Sequence, residues 1–368
     1  MHPNNVELLV LTPTRLRRLK IADCGQLGLC GECLSKRDPF CGWCSLQNEC
    51  TLQDDCSDLT SSRRSSAAAS KWLSLGAKIE PGKLVRGLAG VRSIKLRETG
   101  LTVEQINLLM AEILHSKVIR SLDLIDKNLS QADVETMIAA FNSLESLSLH
   151  YGTLIGATNM ASFLAAMGSS PSSLKELSLR NISLSHVEAG TLGRAVRGLT
   201  SLEIMISDLT PAQLEAMFLT FSRREAGARL TQLCLSHNDL SEVTPALFVE
   251  VCRHVEVLEI FCAKVTTAQM EALFKALSSK TSLMRELNTN YNDLSQVEAE
   301  TLARGVNSLH KANLYKTELS ESQVEAILDH SLRESSLYNL DLRMNNRNYT
   351  SCNIYAKSMK SRIYKVEL

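Results

Sequence analysis

From Val91 onward the apolar positions repeat in one frame: apolar-x-x-apolar-x-apolar, then five residues on to another apolar one. The frame is met at "VRSIKLRETGL", "IRSLDLIDKNL", "LESLSLHYGTL", "LKELSLRNISL", "LTSLEIMISDL", "LTQLCLSHNDL", "VEVLEIFCAKV", "MRELNTNYNDL", "LHKANLYKTEL" and "LYNLDLRMNNR". These segments begin at 91, 119, 144, 174, 199, 230, 255, 284, 309 and 337, and every second gap between them is 25 residues. Alternation with a period of two predicts a short strand in each copy, and the residues that follow predict a helix. Six helix starts carry a capping-box pattern: Thr102-x-x-Gln105, Ser185-x-x-Glu188, Thr210-x-x-Gln213, Thr266-x-x-Gln269, Ser295-x-x-Glu298 and Ser320-x-x-Gln323. Pro211 stands at a first helical position, where its missing N–H is not needed. Apolar pairs at i, i+3 follow, such as Ile106 and Leu109, Leu214 and Met217, Met270 and Leu273, and Val324 and Ile327. One such unit cannot bury its own apolar face, whereas stacked units share a continuous core.

This strand-plus-long-helix unit, with its two alternating repeat types, resembles the leucine-rich repeats of the ribonuclease-inhibitor-like class. The resemblance implies an α/β horseshoe solenoid of about ten strand–helix repeats over residues 81–368, with a parallel sheet on its concave face. Asn238, Asn292 and Asn345 should bond neighbouring backbone after the strand, where Thr99, Ser207, Ala263 and Thr317 stand in other repeats. Thr289 replaces an apolar strand residue and "LHKANL" is a weak strand, so the eighth and ninth repeats are the expected soft points. Residues between the apolar strand positions should face the concave side. Most are a bland polar set, such as Ser146, Ser148 and Glu176. Three late copies differ: Val257, Glu259 and Phe261; Asn288, Asn290 and Tyr291; Asn313, Tyr315 and Lys316. Phe261, Tyr291, Tyr315, Glu259 and Asn290 are therefore the candidate protein-binding residues, since aromatics are enriched at interface hot spots. The competing reading has the aromatics packing on each other or covering the weak eighth repeat.

Cysteine usage divides the chain. Seven cysteines lie between Cys24 and Cys56, and only four in the 312 residues after them. Cys30-x2-Cys33 and Cys41-x2-Cys44 have the look of zinc knuckles, but with a short gap between pairs and three cysteines left over. Seven free thiols are a second reading, and a disulfide framework stabilising a segment too small for its own core is a third. The order of these cysteines, with "DPFCGWC" at its centre, resembles the PSI domain of plexins, semaphorins and integrins, the plexin form most of all. On that resemblance residues 23–57 form a PSI-like module, and "LLVLTPTRLRRLKIADC" leads into it like the last strand of a sema propeller, covering residues 1–22. The resemblance implies the pairs Cys24–Cys41, Cys33–Cys50 and Cys44–Cys56, with Trp43 packed against the bridges. The family's eighth cysteine has no counterpart here, which leaves Cys30 unpaired. The Ser/Ala-rich "SSRRSSAAAS" then marks a linker over 58–80.

Charge narrows the partners. Lys+Arg and Asp+Glu are 40 each, so neither nucleic acid nor an anionic membrane is an electrostatic partner. No apolar run approaches the roughly 20 residues of a bilayer span, which predicts no membrane insertion. "MHPNNVELLVLTPTRLRRLK" makes a poor signal peptide. No phosphate-binding, zinc-protease or nucleophile-elbow motif is present, so neither a cofactor nor a metal nor a catalytic residue is expected. His150 and His237 can face the concave side but have no catalytic companions; Cys234 occupies an outward strand position and Cys252 a helix. Asn128, Asn181 and Asn348 begin glycosylation sequons. The cysteine cluster favours an extracellular or cell-surface setting, with the chain read as lying inside a longer secreted one; the repeat class and the poor leader favour cytosol. The expected function is non-enzymatic: a protein ligand bound on the concave face, with the PSI-like module as spacer, in a cell-surface receptor. The alternative is a cytosolic regulator, either an enzyme inhibitor or a GTPase-activating scaffold.

Overall fold

The computed structural model describes residues 91–345 except 98–100, 117, 126–127, 151–154, 170–171, 224–228, 280–281 and 334–335, together with short strands at 7–12, 15–20, 41–44, 49–52 and 365–367. Cys24, Cys30, Cys33, Cys56, Thr99, Asn348 and the linker 58–80 lie outside the described residues. Contacts divide the chain into two units, Met1–Leu144 and Glu145–Leu368.

In the first unit, β1 (Glu7–Thr12) and β2 (Arg15–Lys20) form an antiparallel hairpin joined by two residues. The lead-in thus contains two paired strands. A second hairpin pairs β3 (Cys41–Cys44) with β4 (Glu49–Leu52), placing Trp43 opposite Cys50 and Cys44 opposite Glu49. The first two repeats follow: β5 (Ser93–Arg97), α1 (Val103–His115), β6 (Ser121–Ile125) and α2 (Val134–Ser143). β5 and β6 pair in parallel, and α1 packs on α2.

The second unit repeats the same step: β7 (Ser146–His150), α3 (Ala157–Ser169), β8 (Glu176–Arg180), α4 (Ala189–Ala195), β9 (Ser201–Met205), α5 (Pro211–Ser222), β10 (Leu230–Cys234), α6 (Pro245–Cys252), β11 (Val255–Glu259), α7 (Thr267–Leu277), β12 (Glu286–Asn288), α8 (Ala299–Asn307), β13 (Lys311–Asn313), α9 (Glu321–Arg333), β14 (Asn339–Asp341) and β15 (Lys365–Glu367). Its nine strands lie in sequence order in one parallel sheet, and consecutive helices pack side by side. The predicted inward pairs are buried, Leu214 with Met217, Met270 with Leu273 and Val324 with Ile327 among them. Phe163, Phe218, Phe221, Phe248 and Phe274 fill the space between the helices and the sheet, and the Phe218 and Phe248 rings lie 5.4 Å apart. α8 approaches its neighbour closely through Gly305, where a Cβ would stand 2.8 Å from the Phe274 carbonyl oxygen. β12, β13 and β14 shorten to three residues each, against five in β7–β11. The shortening begins where Thr289 replaces an aliphatic residue: its Oγ1 is buried without a hydrogen-bond partner.

The helix starts are of two kinds. Boxes form at Thr102, Thr210, Thr266 and Ser320, where the hydroxyl accepts from the glutamine N–H and the glutamine Oε1 accepts from the cap N–H. Those expected at Ser185 and Ser295 do not form. There an extra turn intervenes, closed by the Val187 N–H on the Leu184 oxygen and the Val297 N–H on the Leu294 oxygen. Burial of Val187 and Val297 drives this turn, and Glu188 and Glu298 become the caps themselves. The turn leaves carbonyls facing inward, and the next repeat's glutamine satisfies them. Gln213 Nε2 donates to the Leu184 and Val187 oxygens at 2.7 and 2.6 Å. Gln269 does the same to Leu240 and Val243, and Gln323 to Leu294 and Val297. The expected asparagine ladder also forms. Asn292 Nδ2 donates to the Ile260 and Thr289 oxygens, and its Oδ1 accepts from the Ala263 N–H at 3.1 Å. Asn238 serves Ser207, and Asn345 serves Thr317, in the same way.

Gln269→Ala leaves the Val243 oxygen and the Thr266 N–H without partners and removes the second of two donors to the Leu240 oxygen, and it is expected to cost about 2–4 kcal/mol. Thr266→Ala removes the cap alone and should cost about 1 kcal/mol. Urea unfolding of the full chain checks this; equal losses for the two variants would mean that the bonds to the preceding turn contribute nothing.

Candidate functional site

On the sheet face away from the helices, polar side chains pair across neighbouring strands. Arg180 bonds Glu203 at 2.6 Å, and Glu203 also accepts from the Ser178 hydroxyl, which lies 3.5 Å from His150 Nε2. Gln232 donates to Glu259 at 3.0 Å, and Lys311 pairs with Glu286. A shallow hollow of about 90 Å³ opens between β11, β12 and β13, bordered by Val257, Glu259, Asn288 and Asn313. A larger one, about 270 Å³, lies at the start of β11–β13, between Arg229, His254, Glu256, Arg285 and His310. Cys234, expected outward, is 1 % exposed. It stands in register with Glu203 on one side and Glu259 on the other, and these longer side chains cover it. Burial pushes its thiol up to about 11.

The predicted aromatics lie where the chain leaves the strands. Tyr291 and Tyr315 are joined, their rings edge-on at 5.4 Å, with Lys316 Nζ 5.2 Å above the Tyr291 ring and Arg343 5.7 Å from that of Tyr315. A hydrogen bond with Tyr315 raises the Tyr291 phenol above its ordinary value. Phe261 instead packs edge-on against His237 at 4.7 Å. Asn290 is half-buried and holds the next repeat, its Oδ1 accepting from the Tyr315 N–H at 2.8 Å. Glu259 is half-buried and engaged by Gln232. Tyr291 and Lys316 were expected on the concave strand face, but the period of two ends at Asn288 and Asn313, where the strands stop.

Both belong to a pattern that the aromatic search misses. In the seven segments where the eighth position is described, it is held in the left-handed region: Asn181, Ile206, His237, Cys262, Tyr291, Lys316 and Met344, with φ between 52° and 60°. All seven are exposed. The ladder of the sheet continues through this row. The His237 N–H donates to the Phe261 oxygen, Cys262 to Asn290, Tyr291 to Tyr315 and Lys316 to Arg343. The ninth residue then turns inward to the asparagine ladder. Glycine suits the eighth position best, and a side chain there costs roughly 1–2 kcal/mol. No glycine occupies it in any of these seven copies. Among the described residues of the second unit four large apolar ones are exposed, and three of them, Ile206, Tyr291 and Met344, stand in this row. Residue type does not mark this position, which holds asparagine, isoleucine, histidine, cysteine, tyrosine, lysine and methionine in turn; the backbone angle sets it apart.

Of the sequon asparagines, Asn128 and Asn181 are both exposed; Asn128 Oδ1 accepts from the Ser130 N–H and hydroxyl. Among the described residues, no group of three or more His, Cys, Asp or Glu side chains is placed to hold a metal ion, and no helix is long and apolar enough to cross a membrane.

Cys262 is exposed and Cys234 buried. With a pKa of about 11, Cys234 holds only roughly a thousandth of its thiol as the reactive thiolate at pH 8. Iodoacetamide added to native protein at that pH is therefore expected to modify Cys262 within minutes and Cys234 only after unfolding. Equal labelling of both by peptide mass spectrometry would contradict the occlusion by Glu203 and Glu259.

Comparison with known proteins bears on the other end of the chain. The family model described as "Plexin repeat" (PSI) matches residues 23–74, a span that runs past Cys56 and includes Trp72. Plexin-A2 of Mus musculus is 39% identical over 72 residues, 20% of this chain and 4% of that protein. Plexin-A4 of Homo sapiens is 41% identical over 58 residues, and Plexin-B3 of Rattus norvegicus 47% over 49, each covering 3% of the relative. The matching segment thus spans only a few per cent of the length of these relatives. Residues 23–74 carry a plexin-type PSI repeat, and the strand–helix repeats lie outside the match.

Proposed function

We propose that the chain is a non-enzymatic recognition protein. Residues 81–368 act as a leucine-rich-repeat solenoid of the ribonuclease-inhibitor-like kind and bind a protein ligand along the sheet and its rim. The PSI repeat acts as a spacer, in an extracellular or cell-surface setting like that of a receptor. The observation that carries this reading is the row of exposed, left-handed side chains with Phe261 and Tyr315 beside it. Apolar groups held outward in an unfavourable backbone conformation do nothing for the core, and aligned apolar rims serve contact with another surface. Ile206, Tyr291 and Met344, with Phe261 and Tyr315 beside them, supply the large apolar groups of the rim, the kind that anchors protein contacts. The plexin-type repeat favours the oxidising compartment over a cytosolic regulator.

The test is an array of purified extracellular proteins probed with the full chain. Saturable binding to a member is expected. Phe261→Ala, Tyr291→Ala and Tyr315→Ala should each weaken it by about 1–3 kcal/mol without lowering the melting temperature. Unchanged affinity in all three, with melting lowered, would make the aromatics structural and remove the rim from the binding surface.

The setting is tested separately by the thiols. Non-reduced peptide mapping of the secreted full chain is expected to give Cys24–Cys41, Cys33–Cys50 and Cys44–Cys56, with Cys30 free or joined to another chain. Fully reduced cysteines in protein recovered from its native cells, or zinc on the two C-x2-C pairs, would favour the cytosolic regulator instead.

A further inference from the structure

We infer that the partner segment received by this rim is a basic amphipathic helix, an inference that rests on the recognition reading above and names the chemistry of its ligand. Two parallel rows carry the argument. The inner row is the left-handed one, Ile206, His237, Cys262, Tyr291, Lys316 and Met344. The outer row, two residues further along each repeat, is Asp208, Asp239, Lys264, Asp293 and Glu318, all exposed. Lys264 is bonded to Asp239 at 2.8 Å, so that pair is neutral as a unit. The carboxylates of Asp208, Asp293 and Glu318 remain, against the single cation Lys316 on the inner row. The rim therefore offers three large exposed apolar groups, Ile206, Tyr291 and Met344, in a mixed row flanked by negative charge.

Spacing selects the conformation of the occupant. The inner row follows the sheet ladder, as its backbone bonds to successive repeats show, so its members stand about 4.8 Å apart. On a helix, residues at i, i+3 and i+4 lie one above another at about 5.4 Å per turn. An extended chain presents same-face residues only every 6.6 Å or so. A helix laid along the row thus keeps its apolar side chains between successive row members for several repeats, whereas a strand loses register after one or two. The five steps from Ile206 to Met344 cover about 24 Å, which a helix of about 16 residues spans. Its apolar stripe meets Ile206, Tyr291 and Met344, and lysines or arginines on its flank meet Asp208, Asp293 and Glu318. This is the helix-in-groove mode of recognition with the charge sign fixed by the outer row.

The probe is a synthetic peptide of that length with leucine at helical i, i+3, i+4, i+7 spacing and lysine on one flank. Fluorescence anisotropy with the full chain is expected to show it binding at least about tenfold tighter than the same peptide with glutamate for lysine, and than a proline-containing version that cannot form a helix. The variant Asp208→Lys/Asp293→Lys/Glu318→Lys should reverse the charge preference. The variant Ile206→Gly/Tyr291→Gly/Met344→Gly should lose binding about tenfold or more while its melting temperature holds or rises, since glycine suits the left-handed backbone. Equal binding of all three peptides, or retention of affinity by the glycine variant, overturns the inference. If an arrayed extracellular protein binds through the rim while the basic helical peptide shows no preference, the helix inference fails and the recognition reading stands. If neither binds, both fail.

Discussion

One glutamine side chain, at the third residue of α5, α7 and α9, joins two repeats into one structural unit. The strands of the repeats before these helices' own, β8, β10 and β12, are each followed by an extra turn that buries a valine and turns two carbonyl oxygens inward. No water reaches them, and an unpaired buried carbonyl is costly. Gln213, Gln269 and Gln323 satisfy three such turns with one amide nitrogen each, while the oxygen of the same amide closes the capping box of its own helix. The asparagine ladder does similar work closer to the end of the strand. It appears at Asn238, Asn292 and Asn345, and each donates into the repeat before it. Buried amides thus fix the order and phase of the repeats, while the apolar core supplies most of the driving force.

The rim obeys the opposite logic. Its residues add nothing to the core and stand in a conformation that side chains disfavour. From Ile206 to Met344 the next residue is buried in the asparagine ladder, either as the amide itself (Asn238, Asn292, Asn345) or as the residue whose N–H the amide binds (Ser207, Ala263, Thr317), and the left-handed residue turns the chain into it. What the ladder does not impose is the identity of that residue. Isoleucine, histidine, cysteine, tyrosine, lysine and methionine occupy it in succession. The scaffold therefore exposes one variable side chain per repeat at a fixed spacing, supported from behind by a rigid hydrogen-bonded turn.

Much of this was legible in the sequence. The 25-residue gaps, the inward apolar pairs and four of six capping boxes follow from spacing alone, because helix caps and period-two burial are local rules. The boxes at Ser185 and Ser295 misled because Ser-x-x-Glu satisfies the pattern at both sites, yet the burial of Val187 and Val297 decides where the helix starts. Cys234 misled for a related reason: period-two alternation places it correctly on the open face, but its cover comes from Glu203 and Glu259 on neighbouring strands, about 25–31 residues away in sequence. The aromatics were found by residue type, whereas Ile206 and Met344 are unremarkable as types and become visible only through their backbone angle. The pairing of Tyr291 with Tyr315, and of Phe261 with His237, is a matter of geometry across repeats that no single repeat encodes.

The glutamine bond also constrains how such a chain changes length in evolution. From β8 to α9 each helix that carries the glutamine follows a repeat with the valine turn, and each valine turn is followed by such a helix. Losing or duplicating a single repeat there would set two repeats of the same kind side by side, with either an orphaned valine carbonyl or a buried amide facing an apolar wall. Genetic insertion and deletion within this array are therefore tolerated two repeats at a time, so that homologous arrays should differ by even numbers of repeats and keep the alternation of long and short gaps intact.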